Sequence, residues 1–335
     1  MFPDLRSFLD HLRADRDLVE ISAPVDAVLE AAEIHRRVIA AGGPALLFTN
    51  IKGSAFPLAT NLFGTARRAE LAFGRRPLQF IKRVVHLAET LLPPTAGKLW
   101  GARDVALDLM RVGTSRQASG PILDVVTKEV RLDRLPVITC WPEDGGPFVT
   151  LPLVYTNHPD KPGHNLGMYR MQVHDRASTG MHWQIGKGGG FHYARAEARG
   201  QALPVTVFLG GPPALILSAI APLPENVPEL MLASLIAGTK LPQVSAPGGH
   251  PHPLIASAEF ALMGQVAPHL RKPEGPFGDH YGYYSLQHDY PVFSVGQVAH
   301  RRDAIYPATV VGKPRQEDFF IGDLLQELLS PLFPL

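Results

Sequence analysis

Two carboxylates, Glu274 and Asp279, stand five residues apart in the stretch EGPFGDHYGYYS, residues 274–285. Gly275, Pro276, Phe277 and Gly278 lie between them. The glycines admit backbone angles that a Cβ forbids and the proline stiffens the turn, so the acids sit on a shaped loop and not on a helix face. Acids held in this way can grip a cationic side chain or move a proton. Tyr281, Tyr283 and Tyr284 follow and can wall a pocket for a flat ligand. The plainer reading is an acidic turn leading into a strand.

A second stretch, HNLGMYRMQVHD (residues 164–175), reads as one strand. Its alternation puts Asn165, Gly167, Tyr169 and Met171 on one face and Met168, Arg170 and Gln172 on the other. Arg170 lies mid-strand among apolar neighbours, where an unpaired charge is very costly, and Glu274 and Asp279 are its natural partners. Such an arginine either fixes strand register through a buried ion pair or binds a carboxylate in bidentate geometry. In APLPENVPELMLASLIAG, Pro228 suits a first helical turn and Glu229 falls in that turn. Glu229 there either complements the helix dipole or offers oxygen to a hard cation. MHWQIGKGGGFHY (residues 181–193) has glycines that let backbone approach a phosphate, but not the lysine and hydroxyl of a P-loop. His182 and His192 are ligands or ordinary polar residues. The arginines of residues 67–76 read as a solvated basic face.

The elements that must position these groups fall into two regions. Over 335 residues, two domains are expected. Across roughly residues 1–115, helical patterns (DLRSFLDHLRADRD, DAVLEAAEIHRRVIAAGG, residues 66–73 and 77–92) alternate with strand-length apolar runs, an α/β unit. Asp4 caps the first helix, with Leu5, Phe8, Leu9 and Leu12 on its buried face. Residues 116–315 are short alternating runs divided by Gly, Pro, Asn and Asp, a β domain of barrel type with one helix near VPELMLASLIAG. Residues 316–335 form an amphipathic helix with Ile321, Leu324, Leu325, Leu328 and Leu329 on one side. That face calls for another subunit or for further chain.

Composition narrows the function. Lys plus Arg number 32 against 31 Asp plus Glu, which gives no field for nucleic acid or an anionic membrane. Cys140 is the only cysteine, so no intrachain disulfide forms and a reducing compartment is expected. No apolar run approaches a membrane span and the charged N-terminus is not a signal peptide, so a cytoplasmic protein is expected.

Together these stretches resemble the UbiD family of prenylated-flavin-dependent decarboxylases, whose namesake acts on 3-polyprenyl-4-hydroxybenzoate in ubiquinone synthesis. The resemblance runs nearly end to end, through DLRSFLDHL, GGPALLFTNIKG, NLFGTARR, LPVITCWPEDGGPFVT, NLGMYRMQV, EGPFGDHYGYY, PVFSVGQVAHRRDAIYPATVVGKP and FFIGDLLQELLSPLFP in that order. It implies an α+β chain, with an N-terminal α/β domain, then an FMN-binding split β-barrel. The family's further C-terminal domain is expected to be missing after Leu335.

The resemblance also implies roles. Arg170, Glu274 and Asp279 match the family's arginine and two acids. Arg170 would orient the substrate carboxylate, Glu274 would hold the guanidinium, and Asp279 would give the proton that replaces CO2. For that, Asp279 should be buried, kept neutral, and set further from Arg170 than Glu274 is. Prenylated FMN would supply the electron sink. Asn165, Gly167, Met168, Tyr169, Arg170, Ile185, Pro222 and Glu229 would bind it, and the segment 222–224 would line the flavin. A divalent metal, Mn²⁺ or Mg²⁺, would join its phosphate to Asn165 and Glu229, with K⁺ nearby. The family's third ligand, a histidine, aligns with Gly186, so either water, His182 or His192 completes the shell or metal binding is weakened.

The implied substrate is an aromatic, heteroaromatic or α,β-unsaturated acid, hydroxybenzoate-like on the ITCWPED and GDHYGYY matches. The implied partners are a flavin prenyltransferase and, at full length, further copies of the chain. The alternatives are a flavin-binding module or inactive partner subunit, and a glycoside hydrolase acid pair. Arg170 and the asparagine–glutamate pair argue against the last.

Overall fold

The computed structural model describes residues 2–74, 112–183, 188–223 and 227–330. The helix expected over residues 77–92, and Ile185, Gly186 and Pro224, lie outside the described residues. Among the described residues, three helices and a sheet of four strands, one of them from residues 306–307, build the N-terminal part. Helix α1 (Leu5–Ala14) starts at Asp4, whose carboxylate accepts from Ser7 N at 2.8 Å, and it buries Leu5, Phe8, Leu9 and Leu12. Helices α2 (Glu30–Ala40) and α3 (Ala66–Phe73) follow, and the Thr65 hydroxyl caps α3. Strands β1 (Leu18–Ile21), β2 (Ala45–Phe48) and β3 (Leu58–Thr60) form a sheet completed by β16 (Tyr306–Pro307), which pairs in parallel with β3.

The basic face expected over residues 67–76 is not uniform. Arg67 is exposed, but Arg68 is 1% exposed, with Nη1 on Asp17 at 2.8 Å and Nη2 on the Gly43 carbonyl at 3.0 Å. The two arginines are adjacent on α3 but face differently, and only Arg67 meets water; Arg75 and Arg76 lie outside the described residues.

The remaining strands are β4 (Thr114–Arg116), β5 (Val125–Thr127), β6 (Phe148–Val149), β7 (Leu153–Asn157), β8 (His164–Gly167), β9 (Met171–Asp175), β10 (Ser178–Gly180), β11 (Leu203–Leu209), β12 (Leu241–Val244), β13 (Leu254–Ile255), β14 (Phe260–Glu274) and β15 (His288–His300). β4, β12 and β13 make a small separate sheet. The others form a nine-stranded sheet in the order β6-β9-β10-β15-β14-β11-β7-β8, with β5 also on β15.

That order corrects the single strand expected over residues 164–175. β8 ends at Gly167 on one edge of the sheet, and β9 begins at Met171 beside the other edge. Met168, Tyr169 and Arg170 are all that join them, a reach of roughly 14 Å at most. The sheet therefore curls until its edges nearly meet, and these three residues bridge the seam of a split barrel. Alternating residues fill its two sides. Val154, Val205, Val207, Leu209, Phe260, Leu262 and Phe293 share one core, while Leu153, Tyr155, Phe208 and Ala261 pack into another with α1 and the helices below.

Helix α4 (Gly188–Glu197) packs on β8, and α5 (Ala214–Ile220) packs on α6 (Glu229–Ala237). Helix α7 (Glu317–Leu329) falls within the helix expected over residues 316–335. Its apolar side finds its surface within the chain, with Ile321 and Leu328 buried, Leu324 and Leu325 packed on the core, and α3 alongside. The Leu329 side chain lies outside the described residues.

Candidate active site

β14 and β15 are the longest strands, paired from Phe260↔His300 to Glu274↔His288. Residues 275–287 are the tip of this hairpin, so Glu274 closes the most extended ladder among the described residues. The tip is laced to the segment before β6. Asp144 Oδ1 accepts from Gly278 N at 2.8 Å, while its Oδ2 accepts from Cys140 N at 3.0 Å and Trp141 N at 2.9 Å. Burial raises the Asp144 carboxyl, and these three N–H donors and Arg170 oppose the rise. Gln172 Oε1 accepts from Gly275 N at 2.7 Å. A side chain at Gly278 would run into the Trp141 indole, so the close approach requires glycine there.

Arg170 leaves the seam and enters this tip. Its Nε donates to Glu274 Oε1 at 3.2 Å and its Nη2 to Ser285 Oγ at 3.1 Å, while Nη1 lies 3.6 Å from Asp279 Oδ2. The guanidinium lies over the Phe277 ring at 4.6 Å. The arginine and both acids expected to act together are therefore brought together. Glu274 is the nearer and its side chain is fully buried; Arg170 is 13% exposed.

Asp279 departs from expectation. Its side chain is 35% exposed, and its carboxyl is held below the usual range. Burial pushes it up, but the backbone N–H and ring of His280 and the Arg170 charge prevail. Tyr281 does not wall the site; it is 68% exposed and its ring packs on His280 at 4.0 Å. Trp141, Tyr283, Tyr284 and Lys313 line an open cleft beside Asp279.

Sequence alone pointed to no role here for His280, Ser285, Asp144 or Tyr290, and to His182 only as a metal ligand. His182 Nδ1 lies 2.8 Å from Glu274 Oε1, with its ring stacked on Tyr290 at 4.2 Å. Glu274 Oε2 is buried and has no hydrogen-bond partner among the described residues. The available signals were slight: His280 directly follows Asp279, and Asp144 stands in a Glu-Asp-Gly-Gly turn.

The second cluster lies at the other end of the seam. Asn165 Nδ2 donates to Glu229 Oε1 at 2.8 Å, and Leu166 N donates to Glu229 Oε2 at 3.1 Å. Tyr169 Oη donates to Asn165 Oδ1 at 3.1 Å and accepts from Gly189 N at 3.3 Å. Glu229 opens α6 directly after Pro228, which stands at the N-cap position without a side-chain cap. Burial raises the Glu229 carboxyl against the pull of its own and Leu166 N–H groups and the Asn165 amide. A Cβ at Gly188 would lie 2.6 Å from Asn165 Oδ1, so the start of α4 comes close only because no side chain intervenes.

A carboxylate and an amide oxygen, adjacent and largely dry, are donor types that fit a hard cation sharing its shell with phosphate and water, although here Asn165 turns its Nδ2 to Glu229 and its Oδ1 to Tyr169. Among the described residues no group of three or more His, Cys, Asp or Glu could hold a metal. Of the two histidines offered as a third ligand, His182 turns to Glu274 instead. His192 bonds Thr156 Oγ1 at 2.9 Å, and Thr156 is the cross-strand neighbour of Asn165. Gly167 and Met168 lie between the two clusters, the first buried and the second half-buried, while Pro222 is exposed after α5. No helix among the described residues is long and apolar enough to cross a membrane.

The profile of the 3-octaprenyl-4-hydroxybenzoate carboxy-lyase Rift-related domain matches residues 114–314, and that of the corresponding N-terminal domain matches residues 9–88. An uncharacterised protein of Chlamydia trachomatis serovar D is 53% identical over 332 residues, 99% of this chain and 57% of the relative. A Chlamydia pneumoniae protein, named as a subunit of 4-hydroxybenzoate decarboxylase, is 53% identical over 331 residues, 99% of this chain and 56% of the relative. The chain thus spans little more than half the length of these relatives.

Among solved structures, an evolved dimeric form of the UbiD-class enzyme HmfF from Pelotomaculum thermopropionicum, in complex with prFMN, superposes with a TM-score of 0.84. It shares 24% identity, over 98% of this chain and 72% of that one. The closed form of the Sedimentibacter hydroxybenzoicus vanillic acid decarboxylase also gives 0.84, at 23% identity, over 100% of this chain and 70% of that one. These two show a shared fold. With the family's Rift-related domain spanning most of the chain and its N-terminal domain preceding it, the chain belongs to the UbiD family.

Proposed function

We propose that this chain carries the active site of a UbiD-type carboxy-lyase. The reaction is the reversible, non-oxidative decarboxylation of an aromatic, heteroaromatic or α,β-unsaturated acid, and a hydroxybenzoate-like acid fits best. The observation that carries the reading is Arg170, nearly buried and held between Glu274 and Asp279 where the barrel seam meets the hairpin tip. Two relatives support the substrate class by name, the 4-hydroxybenzoate decarboxylase subunit of Chlamydia pneumoniae and the Sedimentibacter vanillic acid decarboxylase. The first name also supports assembly with a different partner chain; further copies of this chain are the other proposed partner.

Prenylated FMN, when bound, supplies the electron sink that carbanion character on an sp² carbon requires. Residues Asn165, Gly167, Met168, Tyr169 and Arg170 would hold it along the seam, with Ile185 and Pro222. Asn165 and Glu229 would hold Mn²⁺ or Mg²⁺ at its phosphate, with K⁺ nearby.

The chain's own residues account for the rest. Glu274 and Ser285 fix the guanidinium from two sides, and Phe277 covers one of its faces against water. Arg170 then orients the substrate carboxylate. Asp279, on the Nη1 side, delivers the proton to the carbon that has lost CO2.

Co-expression with a flavin prenyltransferase and manganese tests the cofactor. This chain, and a version extended to the length of its relatives, are denatured and the released flavin is weighed. Prenylated FMN is expected. Ordinary FMN alone points to a flavin-binding module or inactive subunit, and no flavin from either version contradicts the reading.

A further inference from the structure

His280 has no part in the chemistry above, yet its contact with Asp279 is close and double. Its Nδ1 lies 2.5 Å from Asp279 Oδ1, and its backbone N–H donates to the same oxygen at 2.7 Å. The imidazole is 50% exposed against 35% for the carboxylate, so the ring is the more solvent-accessible member of the pair. The charged groups around the ring are Asp279, Asp318 at the start of α7, and Arg170 behind Asp279; Tyr281 packs on its face.

Each turnover consumes one proton. The bond to the carboxylate breaks, CO2 leaves, and the electron pair left on carbon takes a proton from Asp279. Asp279 is then a carboxylate beside Arg170, in a site that favours the ionised form. It must be reloaded before the next turnover. Imidazole is the side chain suited to gathering and releasing a proton at neutral pH.

We propose that His280 is the proton relay of this site: it takes a proton from solvent at Nε2 and passes its Nδ1 proton to Asp279 Oδ1. This rests on the decarboxylase reading above. The balance closes with one solvent proton taken up, one C–H bond formed and one CO2 released; Asp279 returns to its carboxylate, and His280, left as its Nε2–H tautomer, regains the Nδ1–H form by exchanging its ring protons with solvent before the next cycle. His280 acts through Asp279 and does not itself touch substrate.

The variants His280→Asn and His280→Gln test it in the cofactor-loaded, full-length enzyme. An asparagine amide can replace an orienting N–H but carries no transferable proton. The relay predicts that kcat falls on the order of 10- to 100-fold in both variants, with KM unchanged and activity restored by added imidazole. Wild-type kcat in His280→Asn, or a loss that imidazole leaves untouched, overturns it.

A second measurement needs no turnover. The Nδ1 resonance of the His280 ring is followed by nitrogen NMR in the wild type and in Asp279→Asn. A hydrogen-bonded Nδ1 signal that changes in the variant is expected; an unchanged signal shows that the pair is not made and overturns the relay. If the loaded wild type releases CO2 from no acid, the decarboxylase reading itself fails, and the relay falls with it.

Discussion

Arg170 divides its donors among Glu274, Ser285 and Asp279, and each contact has a separate consequence. Replacing Asp279 with Asn keeps the shape and removes the transferable proton, so kcat should fall on the order of 100-fold or more in a decarboxylation assay. The Asp279 carboxyl is held below its usual range, so at neutral pH the resting site is ionised. Acid then fills the proton donor. The account predicts that kcat/KM climbs as pH is lowered, until the substrate's own carboxylate protonates. A profile flat through that range would remove Asp279 from the role. The arginine and the two acids were legible in the sequence because each sits in a distinctive motif. The partners His182, Ser285 and His280 were not, since their roles depend on how β10, β15 and the hairpin tip face one another. The exposure of Asp279 was misjudged for a related reason: the aromatic run beside it suggested enclosure, whereas Tyr281 and Tyr283 are 68% and 78% exposed.

At the scale of elements, the hairpin tip depends on the segment before β6. Asp144→Ala leaves three backbone N–H groups without their acceptor, at a cost of about 1–3 kcal/mol. Chemical denaturation should show that loss, accompanied by a fall in kcat because Asp279 is no longer held. Gly278→Ala should cost about 1–3 kcal/mol by pressing a methyl against Trp141, whose indole is fixed by a 2.7 Å hydrogen bond to the Val311 carbonyl. Unchanged melting in both variants would show that the tip is held elsewhere. The break at residues 168–170 escaped the sequence reading because alternation runs unbroken from His164 to Asp175. Barrel closure places the bend there, and closure is a property of the whole strand order. By contrast α1 was legible from its Asp4 cap and its four buried positions, which are local signals.

For the whole molecule, α7 is tied to the N-terminal part through buried polar groups. Phe63 N donates to Glu317 Oε1 at 2.7 Å, and Glu317 is fully buried, with its carboxyl pushed up to about 7 by burial despite Thr309, the Phe63 N–H and Arg68. The His35 ring lies 3.9 Å from Glu317, but burial lowers its pKa to about 3, so this is not an ion pair at neutral pH. Two opposed linkages follow. His35, His192 and His252 are held neutral, with pKa values lowered by burial to about 3, about 4 and about 3. Their contribution is present above the unfolded histidine value of about 6.5 and is lost as pH falls through the native values. Glu317 has the opposite sign: its contribution is present below the unfolded value of about 4.3 and is lost as pH rises through about 7. Urea denaturation across pH should show stability lost below about pH 6.5 as the histidines take up protons, with the Glu317 contribution lost in the opposite direction between about pH 4.3 and about 7, so Glu317→Gln should steepen the rise of stability with pH across that window. None of this was visible in sequence, because β16 joins β3 and Glu317 meets Phe63 across some 250 residues of chain.

The central claim is that Arg170, held by Glu274 and Asp279, orients a carboxylate for loss as CO2. The most direct test is release of labelled CO2 from carboxyl-labelled 4-hydroxybenzoate and related acids. It compares the cofactor-loaded wild type with Arg170→Lys, which keeps the charge and loses the planar fork. The account predicts release by the wild type and a fall on the order of 100-fold or more in the variant. Equal rates in the two proteins, or no release from any acid by the loaded wild type, would contradict it.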